Sequence, residues 1–461
     1  MTLSDDGGKP FERVSNAFRK AAEWLHAKKA FTPDMLSEPE PAELIKATHD
    51  VLASELSAIG FKIPDEMTQT LDDDIFLFSG FKTYHEMNDA SRLLKDDDGG
   101  FKPFGSFLQD IQSIDSQYNR NYLYAEYNFA KASTQMAVKW HDIEKDGDDY
   151  NLQYHTASDG LVRPEHAALE GVTLPPSDKF WNEYYPPNGW NCRCTAVQVL
   201  KDKYAASDSD QACAAGERAT TQIGRNGANK AEMFRFNPGK AGKIFPPKHP
   251  YYKAPEEVKK SLDLENKHRE ENRKEYERLK KDPNYRDVEY DAKSGGIKAE
   301  HIGHIVHEEK EERFFKEMTE DGKGLTSTQL ERCCQDNIFR SGHKAILRNE
   351  KIYNSNGDQL PAVDLELDDK IMDIASITTA EKYGNRLMSK NRQLGNVKKQ
   401  TGMECDSVCL YFHNADSFSE QRLKKDIDWY RQHIVEAGSH QRINHIYVVI
   451  NKKEELLVFD L

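Results

Sequence analysis

The chain has 461 residues, enough for about two or three domains and a large buried core. A formal net charge of -14, from 64 basic and 78 acidic residues, excludes a uniformly cationic protein that coats nucleic acid. No apolar run approaches the roughly 18 residues of a membrane span, and residues 1–8 lack the basic head and apolar core of a signal peptide. Seven cysteines without a secretion signal favour a reduced cytosol, so we expect synthesis in the cytoplasm and no membrane segment.

The first 145 residues are predicted to be mostly helical. Apolar residues recur at three- and four-residue spacing in residues 9–30 and again from Pro41 to Ile59. Residues 75–145 are also predicted to be helical, and the stretch Ile111–Trp140 is rich in aromatic residues. We interpret these rings as helix packing in the core, in preference to a contact with DNA or a partner protein.

Residues 150–200 differ because rigid and aromatic residues replace the helical periodicity. Residues 152–156 alternate like a strand, and so do residues 194–200. Between them, Pro186-Pro187 fixes the backbone and Asn188-Gly189 supplies a turn pair that tolerates positive φ. We therefore predict a rigid platform of loops with short strands at its ends.

The platform closely resembles the Mu F-type phage head morphogenesis family. The residues that carry the resemblance are Arg163-Pro164-x-His166-x-x-Leu169-x-Gly171, Phe180-Trp181 and Pro186-Pro187-Asn188-Gly189-Trp190-x-Cys192-Arg193-Cys194. With its flanking helices the resemblance covers roughly residues 40–255. It implies a minor head protein in the virion, near the portal and capsid proteins and carried with the phage DNA. It implies no established catalytic residues.

Cys192-x-Cys194 places two thiols on one face of a strand, with His155 or His166 possible neighbours. This spacing permits a zinc site, but buried structural thiols are commoner. We therefore predict no metal and no cofactor.

A charged segment separates the platform from the rest of the chain. Residues 256–291 contain 12 acidic and 10 basic residues, several of them paired at i,i+4. We interpret it as a solvated helical spacer that ends at Asp282-Pro283. The predicted boundaries are an N-terminal helical region at 1–40, the head-protein domain at 41–255, the spacer at 256–296 and a C-terminal domain at 297–461.

Residues 297–461 mix helices with short strands, which predicts a compact α+β domain. A helix is predicted to carry His301, His304 and His307. The further elements are a helix at 327–339, strands at 344–347, 362–367 and 371–374, a helix at 381–396, a strand at 407–412, a helix at 420–437 and a closing hairpin at 443–449 and 456–459.

This domain is similar to the C-terminal tRNase domain of CdiA-type contact-inhibition toxins, within the barnase–EndoU–colicin–RelE group of RNases. The carrying residues are Gly342-His343-Lys-Ala-Ile-Leu347, Pro361-x-x-Asp364-Leu-Glu-Leu367, Asp373-Ile-Ala-Ser-Ile-Thr378 and Lys390-Asn-Arg-Gln393-x-x-Asn396-Val397. The chain departs from the pattern at Ala375, where the family usually has lysine.

Cleavage of RNA by its 2′-hydroxyl needs a proton acceptor, a proton donor and a cation beside the phosphate. Asp364 and Asp373 lie on neighbouring predicted strands, and Lys390 and Gln393 share a helical face. The full candidate set is Asp364, Asp373, Ser376, Thr378, Lys390, Gln393, His301 and His304, with His307 as a further imidazole.

Two alternatives stay open for the C-terminal domain. Asp364 followed by Asp373-x-Ala375 also resembles a degenerate metal-dependent nuclease motif, in which two acids hold Mg²⁺. The domain could instead be catalytically inert and serve head assembly.

The leading hypothesis is a phage or prophage head protein of the α+β multidomain class with a fused toxin, a metal-independent RNase acting on tRNA. An immunity protein is a possible partner. The expected location is the capsid interior or, for a prophage product, the bacterial cytoplasm.

Overall fold

The computed structural model describes residues 9–291, 294–305, 325–377, 383–436, 438–453 and 456–461. The chain divides into two compact units, Met1–Asn266 and Lys267–Leu461. Helices dominate the first unit and a large sheet dominates the second, which confirms the predicted α+β class. Among the described residues, no helix combines the length and apolarity needed to cross a membrane.

The N-terminal part of the first unit is a helical assembly whose elements follow the predicted apolar stripes. In α1, for example, Val14, Phe18 and Leu25 are at most 1% exposed and pack in the core of this unit. The major helices are α1 (Lys9–Lys28), α2 (Pro39–Leu52), α3 (Ser54–Ile59), α4 (Asp65–Arg92), α5 (Phe104–Asp115) and α6 (Leu123–Asp146), and Ser116–Tyr122 forms a π-helical turn between the last two.

A small antiparallel sheet follows, in the order β2-β1-β3, and it confirms the predicted platform. Trp140 of α6, Tyr154, Trp181 and Tyr185 are at most 2% exposed in its core, so the aromatic residues there serve mainly packing. The elements are β1 (Asn151–His155), α7 (Pro164–Ala167), β2 (Thr173–Leu174), α8 (Phe180–Glu183), β3 (Thr195–Val199), α9 (Ser209–Ala219) and α10 (Pro238–Ala241).

The charged segment forms the expected helix, α11 (Glu256–Lys281), but it is not a solvated spacer. Val258 and Leu262 are buried in the core of the first unit. Within the second unit, Leu279 is fully buried and Arg269 is 2% exposed. The prediction failed because the few apolar residues of this helix, together with Arg269 and Arg273, are buried, while most of its other charged residues are exposed.

In the second unit, eight described strands form one mixed sheet in the order β11-β10-β9-β8-β7-β6-β5-β4. The pairs β5/β6, β8/β9 and β9/β10 are parallel, whereas the other neighbouring pairs are antiparallel. The strands are β4 (Tyr285–Tyr290), β5 (Ile297–His301), β6 (Lys344–Leu347), β7 (Leu365–Leu367), β8 (Lys370–Ile377), β9 (Ser407–Phe412), β10 (His445–Ile450) and β11 (Leu456–Asp460).

Helices cover both faces of this sheet. Met372 and Ile374 of β8 pack with α12 (Ser327–Arg340) on one face. Ala375 and Ile377 of the same strand pack on the other face, with α13 (Tyr383–Thr401) and α14 (Glu420–Glu436). The barnase-like architecture expected for this region stays a prediction.

The predicted histidine-bearing helix is wrong for the described residues. His301 is the last residue of β5, and His304 lies in the turn that follows. Ile297 and Ala299 alternate into the core at period two, so strand pairing prevails over the helical interpretation. The sheet also begins earlier than predicted, because β4 lies within the segment 256–296. His307 lies outside the described residues.

Candidate functional site

Asp364 and Asp373 form the centre of a polar cluster in the second unit. Leu365 of β7 pairs with Met372 of β8, so Asp364 comes directly beside Asp373. Asp373 is fully buried, and its carboxyl group lies close enough to that of Asp364 to raise the pKa of Asp364. The Ile374 amide donates to Asp364 Oδ2 at 3.0 Å, which fixes the second carboxyl group against strand β8.

The proximity of Asp373 makes Asp364 harder to ionise. Removal of the Asp364 carboxyl from water, followed by the charge and hydrogen bond of Asp373, raises the pKa of Asp364 well above its ordinary value. The environment of Asp364 therefore favours its protonated form.

Lys390 supplies the cation of the cluster. This residue of α13 places its Nζ 2.5 Å from Asp373 Oδ2. The position where the family pattern has lysine, Ala375, is only 4% exposed and lies in the core between the sheet and the helices. The positive charge thus comes from the helix and not from the strand. Asp373 Oδ1 is buried and has no hydrogen-bond partner within the part of the chain that the structure describes.

A second charged group, centred on His304, reaches the cluster through Glu331 of α12. His304 is 1% exposed, with Nδ1 3.2 Å from Glu300 Oε1 and Nε2 3.2 Å from Glu331 Oε2. Burial opposes the imidazolium, but the hydrogen bonds to Glu300 and Glu331 outweigh it and raise the pKa of His304 to about 9. His304 is therefore a cation at neutral pH, not a free base. The charge of Glu331 in turn helps to raise the pKa of Asp364.

The other predicted residues stand apart from this cluster or lie beyond the described residues. Ser376 is two residues after Ile374, so it lies on the α12 face of β8, whereas Asp373 lies on the other face. His301 stacks edge-on with Tyr285, and its Nδ1 accepts the Gly303 amide. Gln393 is a partly exposed residue of α13. Thr378 lies outside the described residues.

Glu331 was missed by sequence reasoning, since nothing distinguishes it from the many other acidic residues on solvated helix faces. A second omission is the group formed by His268, His343 and Asp368, whose ligand atoms lie within 4.8 Å of one another. His343 Nδ1 is 2.7 Å from Asp368 Oδ2 in the turn between β7 and β8. Pairing of β6 with β7 brings His343 to Asp368, and His268 comes from helix α11, so no local spacing in the sequence indicates the group.

In the first unit, polar contacts hold the platform loop in place. The Pro186-Pro187 bond is cis, and the Tyr154 hydroxyl donates to Asn188 Oδ1 at 3.0 Å. The Arg163 guanidinium donates to the Trp190 carbonyl at 2.6 Å. The residue types that identify the platform are therefore the ones that fix its loop.

Comparison with known proteins matches this region. Residues 90–197, from the end of α4 to β3, match the family "Phage Mu protein F like protein". The chain is similar to the "Putative capsid assembly protein F" of Escherichia phage Mu, with 55% identity over 42 residues, 9% of this chain and 10% of that protein. It is also similar to the "Mu-like prophage FluMu F protein" of Haemophilus influenzae, with 35% identity over 65 residues, 13% of this chain and 16% of that protein.

The chain thus matches only about a tenth to a sixth of the length of these relatives. No solved structure matches it at a significant level. The family match lies within the first unit and indicates a Mu F-like segment there. It does not extend to the second unit, whose function is argued from its structure.

Proposed function

We propose that this protein is a Mu F-like capsid assembly protein of a phage or prophage, and that its second unit is a nuclease that cleaves RNA, with tRNA as the substrate class. The first part is supported by the matched segment 90–197. The second part is supported by one observation above all, the Lys390 ammonium beside the Asp364–Asp373 pair.

This cluster suits phosphodiester chemistry. Lys390 is 16% exposed at its side chain, so a phosphate can compete with Asp373 for the ammonium group. In the predicted metal-free reaction, the 2′-oxygen forms a bond to phosphorus, the bond to the 5′-oxygen breaks, one group takes a proton and another gives one. Asp373 would take the proton, Asp364 would give one, and Lys390 would stabilise the charge on the phosphate.

The geometry favours the metal-dependent alternative over this metal-free reaction. The attacking and leaving oxygens lie on opposite sides of phosphorus, whereas Asp364 and Asp373 are in contact on one side. Adjacent carboxylates are the ligands that hard divalent cations prefer, and a bound cation would displace the proton of Asp364. Among the described residues, Asp373 Oδ1 has no hydrogen-bond partner. When bound, such an ion polarises the phosphoryl oxygen and lowers the pKa of a water. Lys390 then neutralises the phosphate.

A head protein joined to a nuclease suggests that the phage particle delivers the nuclease to a new cell. A head protein carried with phage DNA would bring a nuclease into the recipient cell, and a producing cell would need an immunity protein that blocks the cluster. The proposed partners are therefore portal and capsid proteins, tRNA and an immunity protein, and the proposed location is the capsid interior. Mass spectrometry of purified DNA-filled heads should then detect the full chain.

The nuclease is tested with the purified full chain and total tRNA, with Mg²⁺, Mn²⁺ or EDTA. We expect discrete fragments that EDTA abolishes. Asp373→Asn and Lys390→Gln should reduce cleavage at least a hundredfold, whereas Lys399→Gln, on an exposed position of the same helix, should not. Cleavage that persists in EDTA but needs Asp373 would select the metal-free reaction.

A structural role for an inert second unit is the rival, and the absence of lysine at position 375 favours it. Intact tRNA under every condition, with no growth defect when the full chain is expressed, would establish the rival and refute the nuclease.

A further inference from the structure

Three buried side chains of the first unit converge on one point. The sulfurs of Cys192 and Cys194 lie 3.6 and 3.7 Å from the same nitrogen, His166 Nδ1. The three residues are 6%, 8% and 3% exposed, and their ligand atoms all lie within 4.8 Å of one another. They also line one cavity of about 210 Å³.

Hydrogen bonding alone does not explain this geometry. An imidazole nitrogen that lacks a proton has one lone pair, so His166 Nδ1 accepts one good hydrogen bond and not two. At most one of the two sulfur–nitrogen contacts is therefore a good hydrogen bond. A tetrahedral zinc ion with bonds of about 2.3 Å to sulfur and about 2.05 Å to nitrogen separates these ligands by about 3.6 Å. Both measured sulfur–nitrogen distances agree with this value.

The surrounding residues hold the three ligands in this arrangement. Arg193, between the two cysteines, points outward and makes a bidentate ion pair with Asp159 at 2.6 and 2.8 Å. Arg193 is exposed while both neighbouring cysteines are buried, so the segment that leads into β3 directs the two sulfurs to the same side. Asp159 belongs to the loop that leads into α7, which carries His166. The ion pair thus connects the loop of the histidine to the segment of the cysteines.

We propose that Cys192, Cys194 and His166 bind one zinc ion, with a water from the adjoining cavity as the fourth ligand. The ion would link α7 to the start of β3 and stabilise the platform. This inference goes beyond the proposed function and is independent of it, because it concerns only the first unit.

The test uses the purified full chain. We expect about one zinc per chain by elemental analysis and, after replacement by Co²⁺, a thiolate-to-cobalt charge-transfer band. Cys192→Ser and Cys194→Ser should abolish the band and remove the bound zinc. Cys213→Ser changes a partly buried cysteine of the same unit and should leave both signals unchanged. His343→Gln should also leave the cobalt band unchanged, since the group that contains His343 has no sulfur ligand.

Measurements on the unaltered chain keep the proposal falsifiable if the cysteine variants do not fold. Chelation should lower the thermal midpoint of the first unit, and added zinc should restore it. A wild-type chain that shows neither zinc nor a cobalt–thiolate band after reconstitution overturns the proposal. Zinc retained by a folded Cys192→Ser variant with an unchanged cobalt band overturns it as well.

Discussion

Glu86 of α4 is a buried acid that keeps its proton in the folded chain. We expect the first unit to become less stable as pH rises, because the unfolded chain releases this proton more easily. It is fully buried, and Asn119 donates a hydrogen bond to its Oε1. Burial raises its pKa from 4.5 to about 8, although the charge of Lys82 opposes the shift. Below pH 4.5 both the folded and unfolded chains hold this proton. Between pH 4.5 and 8 only the unfolded chain releases it, so stability falls over this range.

The magnitude is large enough to measure. One pH unit corresponds to about 1.4 kcal/mol, so Glu86 should remove about 4 kcal/mol from the free energy of unfolding between pH 5 and pH 8. Glu86→Gln imitates the protonated acid and should remove this part of the pH dependence. The variant should therefore be close to the wild type at pH 5 and markedly more stable at pH 8.

Urea unfolding followed by tryptophan fluorescence is a suitable assay, because Trp24, Trp140, Trp181 and Trp190 all lie in the first unit. Asp142→Asn, on an exposed position of α6, is the control. If Glu86→Gln loses the same free energy at pH 5 and pH 8, the buried acid is not protonated in the folded chain and the reasoning fails.

Three further predictions concern other buried contacts. The His304 imidazolium should stabilise the second unit below pH 6.5, and about 3 kcal/mol should be lost as pH rises through 9. The hydrogen-exchange protection factors of this unit, corrected for the intrinsic rate at each pH, should therefore fall there in the wild type but not in His304→Gln; an equal fall in both would contradict the assignment. Lys390→Met leaves Asp373 as an unpaired buried charge and should lower the free energy of unfolding in urea by about 3 kcal/mol. The double variant with Asp373→Asn should recover most of this loss, and no recovery would contradict the ion pair. Gly216→Ala should lower the thermal midpoint by an amount equivalent to about 1–3 kcal/mol, because its Cβ would lie 2.4 Å from a tyrosine ring. Gly105→Ala is the control: no atom lies within 4 Å of its Cβ, so it should not destabilise the chain. Equal effects of the two substitutions would refute this packing argument.

The sequence predicted those elements whose apolar pattern agrees with their burial. The stripe of α1 and the short apolar strand β9 lie where expected, because Phe18 packs in the core on one face of its helix and β9 is buried on both faces of the sheet. Prediction failed where long-range pairing or packing decides the structure. His301 lies in a strand because β5 is held between two other strands, and Arg269 is buried although charge patterning suggests exposure.

The same distinction between local pattern and long-range packing applies to the candidate site. The chemistry of Asp364, Asp373 and Lys390 predicts them as site residues, and the structure brings the three together. Ser376 was predicted to belong to the same site, but side chains along β8 alternate between the two faces of the sheet, and Ser376 lies on the face opposite Asp373. Glu331 had no distinguishing signal, because its proximity to the cluster arises only when α12 packs on the sheet.

The parallel pairings of the second unit bear on the kinetics of folding. Strand β8 pairs with β9, and β9 with β10, through partners that are far apart in the chain, whereas the helices of the first unit form from local contacts. Sheets with such high contact order fold slowly compared with helical assemblies. We therefore expect the helical unit to be native on the ribosome while the strands of the sheet are still unpaired. A nascent chain would then carry no assembled Asp373–Lys390 cluster until β8 has paired and α13 has been made.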